Sequence, residues 1–168
     1  MTQAAEEDLL NLLDAHGIAV AMHRHPPVHT VEESRTLRGE IAGAHTKNLF
    51  VRDSKKRFFL LVLDEDRKVN LKALAARIGA RGGLSFGSAE ALYEKLGIRP
   101  GSVSVFALIN DKAGDVTVVL DEELRKAATI NGHPLGNEAT ICVSPDGIDR
   151  FLIAVDHPAQ WLDLATAE

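Results

Sequence analysis

The sequence predicts a mixed α/β domain built on a largely antiparallel sheet with flanking helices. Three observations predict it. Strand-like runs fall in pairs joined by polar turns, helical stretches lie between the pairs, and no regular strand-helix-strand repeat occurs that would build a parallel sheet. A chain of 168 residues, 45% hydrophobic and 26% charged, is long enough to bury a core without metals or disulfides and is too apolar for disorder. One domain, residues 1–168, is expected.

The elements follow in order. Residues 5–16 place Leu9, Leu10, Leu12 and Leu13 at helical spacing, and Gly17 follows as a C-terminal cap. Ile18, Val20 and Met22 alternate into His23 and His25 as a strand, broken by Pro26 and Pro27. Thr30 with Glu33 three residues on forms a capping box and predicts a short helix over VEESRTLR. TKNLFVR and RFFLLVL, joined by the polar turn DSKK, make the clearest hairpin in the chain. NLKALAARIG puts Leu71, Leu74, Ala75 and Ile78 on one helical face, and SAEALYEKLG repeats the logic between Ser88 as N-cap and Gly97 as stop.

After the loop RPGS, the run VSVFALI reads as a strand, and the turn NDKAGD pairs it with VTVVLD as a second hairpin. A short helix near DEELRKA, a strand near ATI, the loop NGHPLGN and a strand ATICVS lead to Ser144-Pro145, an N-cap followed by proline at the first helical position. Ile148, Phe151 and Leu152 give the last helix its apolar face.

The acidic start, MTQAAEEDLLNLL, lacks the basic opening of a secretory signal, and no apolar run nears the ~20 residues of a membrane span, so a cytoplasmic protein is expected without a membrane partner. The single cysteine, Cys142, lies in an alternating run and reads as a packed thiol with no disulfide partner. The net charge is −5, yet residues 46–81 carry ten basic side chains against four acids, a local +6. A basic face on an acidic body suits contact with phosphates, although charge runs also serve simply as solvated surface.

No Gly-rich phosphate loop, dinucleotide fingerprint, HExxH or GxSxG occurs, so no cofactor is implied. What remains are polar residues where a plain loop or strand does not require them: Thr30, Lys47-Asn48, Gly101 to Ser104, and His133 with Asn137. Four separated loops of this kind can converge on one pocket.

The ordered set HRHPPVHTVEES, TKNLFVRDSKKRFFLLVL, the basic helix after it, LGIRPGSVSVFALIND, VVLDEEL and GHPLGNEAT resembles the YbaK/ProX family of prolyl-tRNA editing proteins, related to the editing domain inserted in bacterial prolyl-tRNA synthetases. The likeness runs from about His25 to the final helix. It implies a single editing domain that accepts the acceptor end of tRNA(Pro) and hydrolyses a wrongly attached small amino acid, alanine first, with cysteine or serine as alternatives. Prolyl-tRNA synthetase is a candidate partner; DNA is not. The lysine of the family's TKN motif matches Lys47, with Asn48 beside it in a position that places substrate or water. The GxxxP-type loop matches Gly101, Ser102, Val103, Ser104 and Val105, where Val105 departs from the family's usual proline. The histidine of the HPL loop matches His133. Thr30 and Asn137 join the loop as substrate-binding candidates, and Arg52, Lys55, Lys56, Lys68 and Lys72 are the candidate tRNA contacts.

Elementary chemistry agrees with that reading. An aminoacyl ester is already an activated acyl group, so its hydrolysis needs a positioned water and oxyanion stabilisation more than a strong nucleophile. Backbone N–H groups of the Gly101 to Ser104 loop are candidate oxyanion donors. Lys47 supplies a cation for a phosphate or the carbonyl oxygen, rather than a base, since a free lysine is protonated near pH 7. Asn48 and His133 are placed to orient the water or the ribose, and the substrate's own 2′-hydroxyl is a further aid. Alanine is smaller than proline, so a tight pocket can admit the error and exclude the correct product.

Two other classes compete. A non-catalytic nucleic-acid-binding module would use the basic segment alone, but its Phe50, Phe58 and Phe59 sit in strands rather than on a stacking surface. A metal hydrolase would use His23, His25 and His29, although no carboxylate or cysteine stands at a familiar ligand spacing from them.

Overall fold

The computed structural model describes residues 5–27 and 41–165. The capping box at Thr30, the helix expected over VEESRTLR, and His29 lie outside the described residues. Four α-helices are described: α1 (Glu6–Ala15), α2 (Leu71–Arg77), α3 (Ala89–Leu96) and α4 (Pro145–Ala154). Eight strands accompany them: β1 (Ala21–Arg24), β2 (Ala44–Arg52), β3 (Phe58–Asp64), β4 (Ser85–Phe86), β5 (Val116–Asp121), β6 (Ile130–Gly132), β7 (Ala139–Val143) and β8 (Gln160–Leu162). Two 3-10 helices, Val105–Asn110 and Glu122–Lys126, complete the order.

The helix ends follow their local chemistry. Leu9 and Leu13, four residues apart, are the buried stripe of α1. Gly17 then takes φ +66°, which lets its N–H reach Asp14 O and the Ile18 N–H reach Leu13 O, closing the helix. Asn70 accepts from the Lys72 and Ala73 N–H groups to start α2, Ser88 from Ala91 to start α3, and Ser144 from Gly147 to start α4.

The strands lie in the order β1-β7-β6-β2-β3-β5-β8, with β4 paired to β2. The expected hairpin forms: β2 and β3 pair antiparallel from Thr46 opposite Asp64 to Arg52 opposite Phe58. Its turn is locked by the buried Asp53 carboxylate, which accepts from the N–H groups of Lys55, Arg57 and Arg81 and from Arg57 Nε at 2.9–3.0 Å. β7 pairs antiparallel with β1 and β6, whereas β6 meets β2, and β5 meets β3, in parallel.

The second hairpin does not form. VSVFALI is no strand: Val105–Asn110 is a 3-10 helix with Val105 to Ile109 all buried. A run buried on every side carries no alternation to separate strand from helix, and its β-branched and aromatic residues favour the wrong choice. Freed from that partner, β5 runs parallel to β3, a pairing the long crossover through α2 and α3 makes possible.

β3 explains its continuous apolar sequence by being buried on both faces. Leu60 and Val62 pack with α1, α3, α4 and the 3-10 helix Val105–Asn110 in the larger core, while Phe59, Leu61 and Leu63 pack with Leu74 of α2 and Ile78 at its C-terminal cap in the smaller one. Cys142 is buried and unpaired, and burial pushes its thiol up. Among the described residues, no helix is long and apolar enough to cross a membrane.

Candidate active site

The site forms where the sheet divides. β2 pairs with β6 only at Ala44 and His45, and from Thr46 onward its pairing is with β3 on the other side. As β6 departs, His45, Thr46, Lys47 and Asn48 of β2 all come to line one pocket of about 280 Å³, although they alternate along the strand. Asn131, Gly132 and His133 form a second wall, Gly101 and Val103 a third, and Glu65 and Thr140 complete it. The volume lies near the lower end of the ~300–1,000 Å³ common for ligand clefts, so the pocket suits a small group.

Close backbone packing holds these walls together. A Cβ on Gly132 would come within 3.0 Å of the Phe106 ring, so only glycine lets β6 approach the 3-10 helix this closely. Ser104 Oγ donates to His133 O at 2.6 Å and ties the two loops directly. Gly101 turns at φ +94°, a conformation glycine alone takes readily, with the Asn137 amide close by.

The polar groups are oriented by backbone carbonyls. Lys47 Nζ donates to Arg67 O. Arg67 is itself held, its Nε 2.9 Å from Asp121 Oδ2 and its Nη2 3.0 Å from Asp163 Oδ1. His133 Nδ1 lies 3.0 Å from Ala139 O, and since a carbonyl only accepts, that nitrogen carries the hydrogen and Nε2 keeps the lone pair. Burial pushes the His133 pKa down and nearby His25, 6.3 Å between ring centroids, adds to the effect; together these outweigh the Ala139 bond and favour the neutral ring. His45 Nε2 donates to Ile41 O at 2.9 Å, which fixes its hydrogen in the same way. The Asn48 Oδ1 atom is buried and has no hydrogen-bond partner.

Of the residues singled out in the sequence, Lys47, Asn48, Gly101, Val103 and His133 are brought together. Ser104 and Val105 are not pocket residues: Ser104 is fully buried behind His133, and Val105 begins the buried 3-10 helix and packs in the larger core. Ser102 does not line the pocket, and its N–H, an expected oxyanion donor, instead reaches Arg99 O. Asn137 stands behind Gly101 rather than in the lining. Thr30 lies outside the described residues.

The basic segment also divides. Arg57, Arg67 and Arg77 serve internal contacts with Asp53, Asp121 and Asp163. Lys68 is exposed beside the carbonyl that holds Lys47, and Lys72 is exposed on the first turn of α2. Arg52, Lys55 and Lys56 are exposed at the opposite end of the hairpin, five or more residues along β2 from Lys47, about 17 Å or more. His23 is exposed, while His25 faces Pro26 O and Thr140 Oγ1; no group of three or more metal-ligating side chains occurs among the described residues.

His45, Thr46, Glu65, Asn131, Gly132 and Thr140 were absent from the sequence-derived set. His45 and Thr46 adjoin the Lys47 motif, and Asn131 and Gly132 precede His133, so adjacency was their signal. Glu65 and Thr140 had none, because only the folded sheet brings them to the pocket.

A family model described as an aminoacyl-tRNA editing domain matches residues 25–151. The prolyl-tRNA editing protein ProX of Acetoanaerobium sticklandii is 35% identical over 165 residues, 98% of this chain and 100% of that protein. The prolyl-tRNA synthetase associated domain-containing protein 1 of Danio rerio is 37% identical over 153 residues, 90% of this chain and 83% of its own length. A crystal structure provisionally described as a trans-editing enzyme for prolyl tRNA synthetase superposes with a TM-score of 0.72 at 16% identity, covering 99% of this chain and 100% of that one, a likeness of fold.

Proposed function

The chain belongs to the aminoacyl-tRNA editing domain family, and from that premise we propose that it is an aminoacyl-tRNA deacylase acting in trans on mischarged tRNA(Pro), with alanyl-tRNA(Pro) as substrate. The observation that carries the reading is the convergence of Lys47, Asn48, Gly101 and His133, from separate segments, on one small pocket.

The chemistry is ester hydrolysis. His133 Nε2 takes a proton from a water whose oxygen attacks the acyl carbon. Lys47 keeps one N–H on Arg67 O and has two left for the developing oxyanion. The acyl carbon then parts from the ribose 3′-oxygen, which takes the proton back from His133 and leaves free tRNA and the amino acid. Asn48 lines the pocket beside Lys47, where its amide can hold the water or the ribose. The narrow pocket favours alanine over proline by exclusion, as a second sieve does. Exposed Lys68 and Lys72 are the proposed contacts for acceptor-end phosphates, with Arg52, Lys55 and Lys56 reaching more distant ones.

A deacylation panel of alanyl-, cysteinyl-, seryl- and prolyl-tRNA(Pro) tests this. Alanyl-tRNA(Pro) is expected to be cleaved fastest and prolyl-tRNA(Pro) spared, and Lys47→Ala is expected to lower kcat/KM by about 100-fold or more, the scale of losing an oxyanion donor. Undiminished turnover by Lys47→Ala would remove the assigned role, and no turnover on any substrate would favour a binding module.

A further inference from the structure

Lys47 takes its orientation from a carbonyl that belongs to a turn. Its Nζ donates to Arg67 O, and Arg67 lies just beyond β3, where its own N–H bonds back to Asp64 O at 3.0 Å. Asp64 stands opposite Thr46 in the β2–β3 register, so the turn begins beside the pocket. Arg67 is in no strand or helix, and a connecting segment of that kind is more mobile than the elements it joins. What holds it is the side chain. The guanidinium is gripped by two carboxylates, with Nε 2.9 Å from Asp121 Oδ2 and Nη2 3.0 Å from Asp163 Oδ1. Asp121 is fully buried at the end of β5. Asp163 follows β8, and Arg77 Nη1 fixes its backbone by donating to Asp163 O at 2.7 Å. The Leu164 N–H reaches Asp121 Oδ1 at 3.4 Å and joins the segments that carry the two carboxylates.

Arg67, Asp121 and Asp163 do not line the pocket, so whatever they contribute to the reaction passes through Lys47. An ion pair with a wholly buried carboxylate adds little net stability, because desolvation offsets the attraction. What such a pair does fix is direction. A planar guanidinium bridging two carboxylates has one orientation, whereas a lysine ammonium in its place is a point charge that pairs without setting an angle. We infer that Arg67 is a positioning residue for the hydrolysis: gripped by Asp121 and Asp163, it locks the turn whose carbonyl aims the Lys47 ammonium at the developing oxyanion. The flexible stem of Lys47 would otherwise let the ammonium wander, and an oxyanion donor is effective when it is aimed before the charge develops. The inference rests on the deacylase reading and extends its machinery across the sheet, from β2 to the ends of β5 and β8.

The experiment measures kcat and KM on alanyl-tRNA(Pro) for Arg67→Lys, made both in the wild-type chain and in Lys47→Ala, with the fold of each verified by circular dichroism. Arg67→Lys keeps a positive charge beside the buried Asp121 but loses the fork. In the wild-type chain it is expected to lower kcat about tenfold, the scale of one hydrogen bond to a charged group, while KM moves less than about twofold, because the interaction lost is one made in the transition state. In Lys47→Ala the same change is expected to leave the residual single-turnover rate unaltered, since the ammonium through which Arg67 acts is already gone. A purely structural arginine would be rescued by the lysine, or would slow both backgrounds by one factor. Asp163→Ala is the second variant, and its half-exposed side chain makes it safe for the fold. It is expected to lower kcat about two- to fivefold in the wild-type chain, the range of an exposed ion pair, and to change nothing in Lys47→Ala. Wild-type kcat in folded Arg67→Lys, or an equal loss in both backgrounds, would overturn the inference and leave the deacylase reading intact. Should Arg67→Lys not fold, Asp163→Ala decides by the same criteria. No turnover of alanyl-tRNA(Pro) by wild type would instead overturn the deacylase reading, and this one with it.

Discussion

Whether His133 acts as a base depends on where its ring hydrogen sits and on which protonation state burial favours. Its Nδ1 hydrogen is held by Ala139 O, and burial pushes its pKa below the ordinary value of 6.5, so at neutral pH Nε2 carries a lone pair. The direction of the pH dependence follows. Deacylation is expected to be flat around neutrality and to fall in acid, with unit slope below a pKa that is itself under 6.5, as Nε2 takes up a proton. Single-turnover rates across pH test this, and a titration at or above 6.5 would contradict it. His133→Asn is expected to lower kcat by about 100-fold or more while KM moves little, the range of general-base catalysis.

At the scale of elements, two close contacts shape the site from behind. Gly132→Ala would bring a methyl within 3.0 Å of the Phe106 ring in a packed core, which is expected to cost about 1–3 kcal/mol by overpacking. For a domain of this size that lowers Tm by roughly 2–4 °C per kcal/mol, readable by calorimetry, with activity falling further because His133 is the next residue. The hairpin turn provides the second case. Burial raises the Asp53 pKa, but the N–H donors of Arg81, Arg57 and Lys55 outweigh it and hold the carboxyl down to about 2. A depressed carboxylate stabilises the fold above its unfolded pKa of 3.8 and loses that contribution as pH falls toward about 2. Acid unfolding of wild type against Asp53→Asn should therefore differ in the window between those values, with the variant lacking the pH-dependent loss that wild type shows there.

At the scale of the whole molecule, the described chain closes on itself through a buried pair. His157, just beyond α4, bonds through Nε2 to Asp111 Oδ2 at 2.8 Å, and Asp111 also accepts from the N–H groups of Asp115 and Val116 at the start of β5. Burial alone would lower the His157 pKa, but the Asp111 bond reverses this and raises it. Burial would raise the Asp111 carboxyl, but the His157 hydrogen bond and two backbone donors outweigh it and hold the carboxyl below its ordinary 3.8. Stability from this pair is therefore full between 3.8 and 6.5, is lost as pH rises through the raised His157 value, and is lost as pH falls through the lowered Asp111 value. His157→Ala is expected to cost about 1.5–3 kcal/mol, the scale of one hydrogen bond to a charged group, since Asp111 keeps its two backbone donors, and to loosen β8 before the rest of the sheet, measurable by amide exchange at residues 160–162. Deacylation on the folded fraction should change little, because neither residue lines the pocket.

Much of this protein was legible in one dimension. The amphipathic helices, the β2–β3 hairpin and the caps at Asn70, Ser88 and Ser144 announce themselves because they rest on neighbours in sequence: a repeat of side chains, a polar turn, an oxygen three residues ahead of an orphan N–H. Lys47, Asn48 and His133 stood out as polar residues without a local reason. Tertiary structure alone decided the rest. Val105–Asn110 became a 3-10 helix because it is enclosed on all sides, where burial erases the period that distinguishes strand from helix. The parallel pairing of β5 with β3 joins residues more than fifty apart, which no local pattern encodes. Glu65 and Thr140 enter the pocket because β6 parts from β2 after His45, a property of the whole sheet, and the basic segment loses Arg67 and Arg77 to contacts with Asp121 and Asp163 that only the fold brings near. Sequence sets what each residue can do locally; long-range pairing and burial set which of those capacities meet in one place.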